Sequence, residues 1–219
     1  MPTCTRAVPY RVTMESKLLK RVLQRLPQAK ARTSIDHPAI EVAADQLLPA
    51  ARLLRDEFDF NLLTDITAID WGTDAAPRFS GVYHLYSLKS HHTFRIVADC
   101  VDAAAPVLPS LVELWPAANW HERETYDMFG IHFDGHPDLR RILMWDAFPH
   151  FPLRKDFPLA GIETDLPAAD VAQVTQARVE PAPMMGGPFY SPQATAMSKR
   201  EPRVADQSWT EQTPKPNDR

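Results

Sequence analysis

Glycine is scarce in this chain, at seven of 219 residues, and cysteine is scarcer still, at two. The shortage leaves no GxGxxG run and no Walker-type loop, so neither glycine-rich phosphate cradle is available. No GxSxG elbow occurs either, which removes a common serine-hydrolase arrangement. Cys4 and Cys100 are too few for a disulfide framework, and they fit a reducing compartment. An iron–sulfur cluster usually takes four cysteine ligands, so this chain cannot hold one by itself. Cys100 lies in a strand-like run, where a buried inert thiol is the ordinary expectation over a nucleophile.

Long apolar runs are missing too. Nothing approaches the roughly 18 apolar residues that a bilayer-spanning helix needs. Arg6 and Arg11 precede any acid but no apolar signal core follows them, which argues against a secretory signal or a transit peptide. A net charge of −4 gives no bulk attraction to nucleic acid or to an anionic membrane.

The charge is unevenly spread. Residues 1–35 hold eight Lys/Arg and one acid, Glu15, whereas residues 36–80 hold nine acids and three Arg. A solvated helix face is the ordinary explanation of such a basic stretch, and an electrostatic contact with a partner is the sharper one. Proline is abundant at 21 residues, eleven of them between Pro149 and Pro216. That density cannot continue helices or central strands, so the C-terminal third is expected to be extended.

A hydrophobic fraction of 44% supplies a core, and the pattern of the apolar residues divides it into elements. Leu18, Leu19, Val22, Leu23 and Leu26 form one stripe of a helix over 15–26, which Pro27 stops. Residues 31–43 read as two short strands or a hairpin around Ile35, Ile40 and Val42. Asp45 is a plausible N-cap for a second helix bearing Leu47, Leu48, Ala51 and Leu54. Strands are expected at 61–70, 82–88 and 94–100, the last two as an antiparallel pair. Residues 107–129 read as helical with a break at Pro116, ending on Gly130 as the C′ residue. The sum is an α+β fold: a mixed β-sheet with helices packed on one face, then an extended Pro-rich C-terminal tail. Its divisions are an arm over 1–14, an α+β domain over 15–130, an Arg/His loop segment over 131–160 and a tail over 161–219. One short helix fits around 166–179. Residues 198–219 read as disordered in isolation. Trp209 and the Phe189-Tyr190 pair favour a tail that wraps partner subunits, because aromatics are enriched at interfaces.

Metal sites find little support. His121-Glu122 opens like HExxH, but Thr125 stands where the second His belongs. His132 and His136 are four apart, yet Gly135 and Pro137 interrupt any helix between them, so hydrogen bonding within a loop is the ordinary reading.

The informative stretch is 119–159, NWHERETYDMFGIHFDGHPDLRRILMWDAFPHFPLRKDFPL. On a helix Arg123 and Asp127 stand at i, i+4 and are expected to pair, while Glu122 reaches Tyr126. Arg140 and Arg141 follow on a loop, each expected to meet an acid, and guanidinium forks suit fixed bidentate contacts with carboxylates. The run Glu122-Arg123-Glu124, then Asp127-Met128-Phe129, then His136, Arg140 and Ile142-Leu143 resembles the signature of the respiratory complex I 30-kDa subunit family. Its bacterial members are the C-type subunits of NADH-quinone oxidoreductase. Downstream, PLRKDFPL at 152–159 is similar to the family's second block. Family members commonly carry Gly-His before that block, where this chain has His150-Phe151; His tolerates positive φ poorly, so the turn there needs another backbone path.

The resemblance implies a non-redox scaffold subunit in the peripheral arm of NADH:quinone oxidoreductase, with no active site of its own. The arm supports electron transfer from NADH to quinone coupled to ion translocation. It implies no cofactor in this chain, with flavin and Fe–S clusters in partner subunits. The chief partner would be the 49-kDa-type subunit, on the cytoplasmic face of the bacterial plasma membrane, and membrane contact would come only through the complex. Glu122, Arg123, Glu124, Asp127, His136, Arg140, Arg141, Arg154, Lys155 and Asp156 are the residues expected to serve structure and interface, none as a catalyst. An equivalent subunit of a hydrogenase-type membrane complex and a soluble protein-binding adaptor stay open as alternatives.

Overall fold

The computed structural model describes residues 9–158, 164–165, 168–176 and 178–179. Residues 1–8 of the expected arm, Phe189, Tyr190, Trp209 and nearly all of the expected tail lie outside these residues. The chain divides into two units, 1–157 and 158–219.

The first unit opens with α1 (Pro9–Arg25), β1 (Lys30–Arg32) and β2 (Ala39–Ala43), followed by α2 (Leu47–Phe58). Three longer strands come next: β3 (Leu62–Asp70), β4 (Phe79–Ser87) and β5 (His92–Asp99). Then come β6 (Val107–Pro109), α3 (Ala118–Phe129) and β7 (His132–Asp134).

Five strands form one sheet in the order β1-β2-β5-β4-β3. All neighbours are antiparallel except β2 and β5, which run parallel, so the sheet is mixed. Register explains its hydrophobic side. Ile40, Ile96, Tyr83 and Ile66 lie in one cross-strand row, and Val42, Ala98, Gly81 and Ala68 in another. Side chains alternate between faces along a strand, so these rows point one way. They meet Leu47, Ala50, Ala51 and Leu54 of α2, Val22 of α1 and Ala118, Met128 and Phe129 of α3. Each fully buried side chain of this size contributes roughly 1.5–3 kcal/mol of transfer free energy.

Helix α3 lies against the edge strand β3, and the Thr125 hydroxyl donates to the Ile66 carbonyl (3.4 Å). At the opposite edge β1 is three residues long.

The structure departs from expectation at two places in this unit. Asp45 does not cap α2: it sits in a 3₁₀ turn over 44–46, and Gln46 is the N-cap residue, with no side-chain cap bond. Residues 107–109 form strand β6, parallel to β7, instead of helix. Pro106 precedes that segment and Pro109 ends it, and Pro109 cannot donate the hydrogen bond a helix would need.

In the second unit β8 (Thr164–Asp165) pairs antiparallel with β9 (Arg178–Val179), and α4 (Ala169–Thr175) lies between them in sequence. This matches the single short helix expected around 166–179.

Candidate functional site: three carboxylates that clamp irregular chain

Helix α3 carries two buried acids, Glu122 and Asp127, both with no exposed surface. A third buried acid, Asp70, ends β3. Each gathers donors from a stretch of chain that has no regular structure to satisfy its own N–H groups.

Asp127 gathers four donors. Its Oδ2 accepts three consecutive backbone N–H groups, from Ile142 (3.0 Å), Leu143 (2.7 Å) and Met144 (2.9 Å). Its Oδ1 accepts Arg141 Nη1 at 2.6 Å. Burial alone would raise this carboxyl; the N–H groups of Met144 and Leu143, Arg141, and the N–H of Ile142 outweigh it and hold it below the ordinary carboxylate value. Arg141 then reaches on, donating through Nη2 to the carbonyls of Phe148 (2.8 Å) and His150 (3.1 Å). Its guanidinium lies 5.0 Å from the Phe151 ring centroid. One ion pair thus fixes the end of α3, the turn at 142–144 and the approach to residue 150.

Asp70 does the same for the next segment. Its oxygens accept Arg78 Nε (3.2 Å) and Nη2 (3.1 Å), the Gly72 N–H (2.9 Å) and the Lys155 N–H (2.8 Å). Desolvation raises its pKa, but Arg78 and the two N–H groups prevail and bring it down to about 2. Arg78 also pairs with Asp156 at 2.9 Å. Arg154 Nε donates to the Phe129 carbonyl (2.6 Å), and its guanidinium lies 5.0 Å from the Phe79 centroid and 4.5 Å from that of Phe151.

Glu122 accepts the Ser110 hydroxyl and the Leu111 N–H, both at 2.7 Å. Burial pushes its carboxyl up to about 7, with those two donors opposing only in part. It holds the chain that leaves β6.

Gly130 makes the close approach possible. It closes α3 at φ 72°, and a Cβ there would meet Arg154 Nη2 at 2.5 Å and Phe151 at 2.6 Å. Only glycine fits a left-handed C′ position with that little room.

The predicted residues divide. Asp127, Arg141 and Arg154 meet in one assembly, which Lys155 joins through its backbone N–H and Asp156 through Arg78. The expected Arg123–Asp127 pair does not form, because Asp127 is taken by Arg141. Arg123 stacks on Trp120 (5.0 Å) and donates to the Arg140 carbonyl (3.2 Å). Glu122 turns inward to Ser110 and not to Tyr126. Arg140 is 67% exposed and meets only Asp138, itself exposed, so the acid expected for it is a surface one. Glu124 is exposed. His136 serves as a loop brace, its Nδ1 accepting the Asp138 N–H (3.0 Å) and its Nε2 donating to the Asn119 carbonyl (3.2 Å). His150 keeps a negative φ, so the turn before residue 152 does without glycine.

Sequence reasoning missed Asp70, Arg78 and Ser110. Asp70 two residues before Gly72 is a turn signal, but nothing in it points to a residue 85 positions away. Among the described residues, no group of three or more His, Cys, Asp or Glu is placed to hold a metal ion.

A family profile described as "Respiratory-chain NADH dehydrogenase, 30 Kd subunit" matches residues 40–163. The chain belongs to this family. A 30-kDa-family relative from Moorella thermoacetica, a C-type subunit of NADH-quinone oxidoreductase by name, is 47% identical over 138 residues, covering 63% of this chain and 91% of that one. A relative from Aquifex aeolicus bears a combined C/D designation within NADH-quinone oxidoreductase. It is 42% identical over 142 residues, which cover 64% of this chain and 23% of the relative. Among solved structures, a chain of the membrane-bound sulfane sulfur reductase, described as an archaeal respiratory membrane complex, superposes with a TM-score of 0.57. It is 24% identical and covers 74% of this chain and 91% of its own length, a likeness of fold. The 30-kDa-family match contains all three clamping acids and their donors; α1 lies outside it.

Proposed function

We propose that the chain is a non-redox scaffold subunit of the peripheral arm of an NADH:quinone oxidoreductase, built to present a stiff, irregular surface to its neighbours. The observation that carries this reading is the state of the three buried carboxylates. Each is buried and accepts backbone N–H groups, a hydroxyl or a guanidinium of its own chain. A general base or nucleophile must be reached by its substrate, and these three carboxylates are buried against their own chain. Their effect is positional: about twenty residues of chain, from Asp138 to Phe157, are pinned without helix or sheet.

A stretch fixed in this way has lost its conformational freedom before any partner arrives, so docking against it costs less entropy. The flavin and Fe–S clusters would then belong to other subunits. The relative with the C/D designation, far longer than its matched part, supports a D-type polypeptide, the 49-kDa type, as the immediate neighbour. On this reading the chain sits at the cytoplasmic face and is attached through the rest of the complex. Among the described residues no helix is long and apolar enough to cross a membrane.

Extraction of membranes with mild detergent, capture through a tag on this chain and mass spectrometry of the eluate test the reading. A flavin-containing assembly that oxidises NADH is expected. A nickel-containing eluate would move the chain to a hydrogenase-type host, and recovery of the chain alone from the soluble fraction would end the proposal.

A further inference from the structure

The basic N-terminal stretch is not absorbed by the clamp. Residues 1–35 hold eight Lys/Arg and one acid, while the remaining chain holds sixteen Lys/Arg against twenty-seven acids. The excess is local, and the structure shows where it sits. Lys17 and Arg21, one helical turn apart on α1, line a groove of about 390 Å³ together with Lys89 and Ser90 of the β4–β5 turn and His92 at the start of β5. Leu18 and Phe58 form its half-buried floor.

The acids around this groove are already engaged. Glu57 pairs with Arg25 at 2.5 Å and Asp59 with Lys89 at 3.0 Å. Lys17 and Arg21 have no carboxylate among the described residues, and Arg21 lies over the Phe58 ring at 5.4 Å. Both are exposed. Two cations beside a concave apolar floor, with the nearby anions spent, present unmatched positive potential to whatever enters.

We infer that this groove is a docking surface for a carboxylate-bearing segment of a neighbouring protein chain, one that places an apolar side chain on Leu18 and Phe58. The inference rests on the proposed membership of a multisubunit complex. A protein segment fits better than a lipid surface for two reasons. The site is concave, and its apolar groups are recessed, whereas a membrane-binding face is convex and projects its apolar groups outward. A peptide can also set single carboxylates beside Lys17 and Arg21 while leaving the Glu57–Arg25 and Asp59–Lys89 pairs in place, which a continuous field of anionic headgroups would compete with. Because α1 lies outside the family match, this surface is a property of this chain and not one the family match supplies.

The test uses the intact complex, purified through a tag on another subunit, and a zero-length carbodiimide that joins an ammonium to a touching carboxylate. Lys89 and Asp59 provide a built-in control, since their cross-link must appear whenever the chemistry works. Lys17 is expected to be recovered joined to an Asp or Glu of another subunit. The Lys17→Glu/Arg21→Glu variant is expected to be retained on the complex roughly three- to tenfold less well at about 0.3 M salt. Both side chains are exposed, so the variant keeps its fold, which far-UV circular dichroism verifies. The inference is overturned if the control link forms while Lys17 joins no other chain, or if retention is unchanged at every salt concentration. Flotation of the full chain with phosphatidylglycerol vesicles, lost in the variant, would overturn it in favour of a membrane. A chain that never accompanies the tagged subunit would remove the functional reading and this inference together.

Discussion

Replacing Arg141 with alanine deletes four hydrogen bonds at once: those to Asp127 Oδ1, to the Asp127 carbonyl and to the carbonyls of Phe148 and His150. Asp127 has no exposed side-chain surface and Arg141 only 9%, so the abandoned carboxylate cannot be rescued by solvent without local opening. Removing one member of such a pair costs about 3–5 kcal/mol. Three backbone N–H groups still solvate Oδ2, which argues for the lower end, roughly 3 kcal/mol. In a domain of this size that corresponds to a fall of roughly 6–12 °C in Tm. Arg140→Ala is the control from the adjacent position. Its pair with Asp138 is solvent-exposed on both sides, and its loss costs about 0–1 kcal/mol. Scanning calorimetry of the two variants, with native gels of the assembled complex, separates these cases. Arg141→Ala should melt well below wild type and assemble poorly, and Arg140→Ala should follow wild type in both. Equal melting temperatures for the two variants would refute the clamp.

Two further outcomes follow from the same geometry. Burial raises Glu122 to about 7 from an ordinary 4.5, so the folded chain holds that proton more tightly than the unfolded one. The associated stability is complete below about pH 4.5 and lost as pH rises through about 7. Glu122→Gln fixes the neutral form, and its unfolding free energy from urea titrations should climb relative to wild type across that window, by on the order of 3 kcal/mol; parallel stability curves would contradict this. Asp70 runs the opposite way, its contribution intact above the ordinary carboxylate value and lost only as pH falls through about 2. Gly130→Ala forces a side chain into a left-handed position and against Arg154 and Phe151, so a loss of about 2–4 kcal/mol is expected, with faster proteolysis near residue 151; a wild-type melting temperature would show that the segment is not held there.

Much of the fold was legible because its signals are local. The stripe at Leu18, Val22 and Leu26 and the alternation along β3, β4 and β5 report directly on which face is buried. Strand β6 was hidden because Leu108, Leu111 and Leu114 recur at three-residue intervals and imitate a helix. Its partner β7 also begins 25 residues after β6 does, beyond any local pattern. In the site, residue types were readable and pairings were not. The i, i+4 spacing of Arg123 and Asp127 is a real proximity on an isolated helix. Here tertiary contacts offered Asp127 three N–H groups and the Arg141 guanidinium, a larger set of donors than Arg123 alone could supply. Asp70 and Lys155 lie 85 positions apart and meet only in the folded chain, and no spacing rule carries that distance.

The placement of α3 along β3 matters beyond the clamp. A strand edge with open N–H and C=O groups is a template on which another copy can extend the sheet. Thr125 occupies the Ile66 carbonyl on one side, and on the other the outermost strand is short and carries Lys30 and Arg32. One carbonyl of the β3 edge is thus taken by α3, and the β1 edge is too short and too charged to pair for long with a second copy, which disfavours lengthening the sheet from that side.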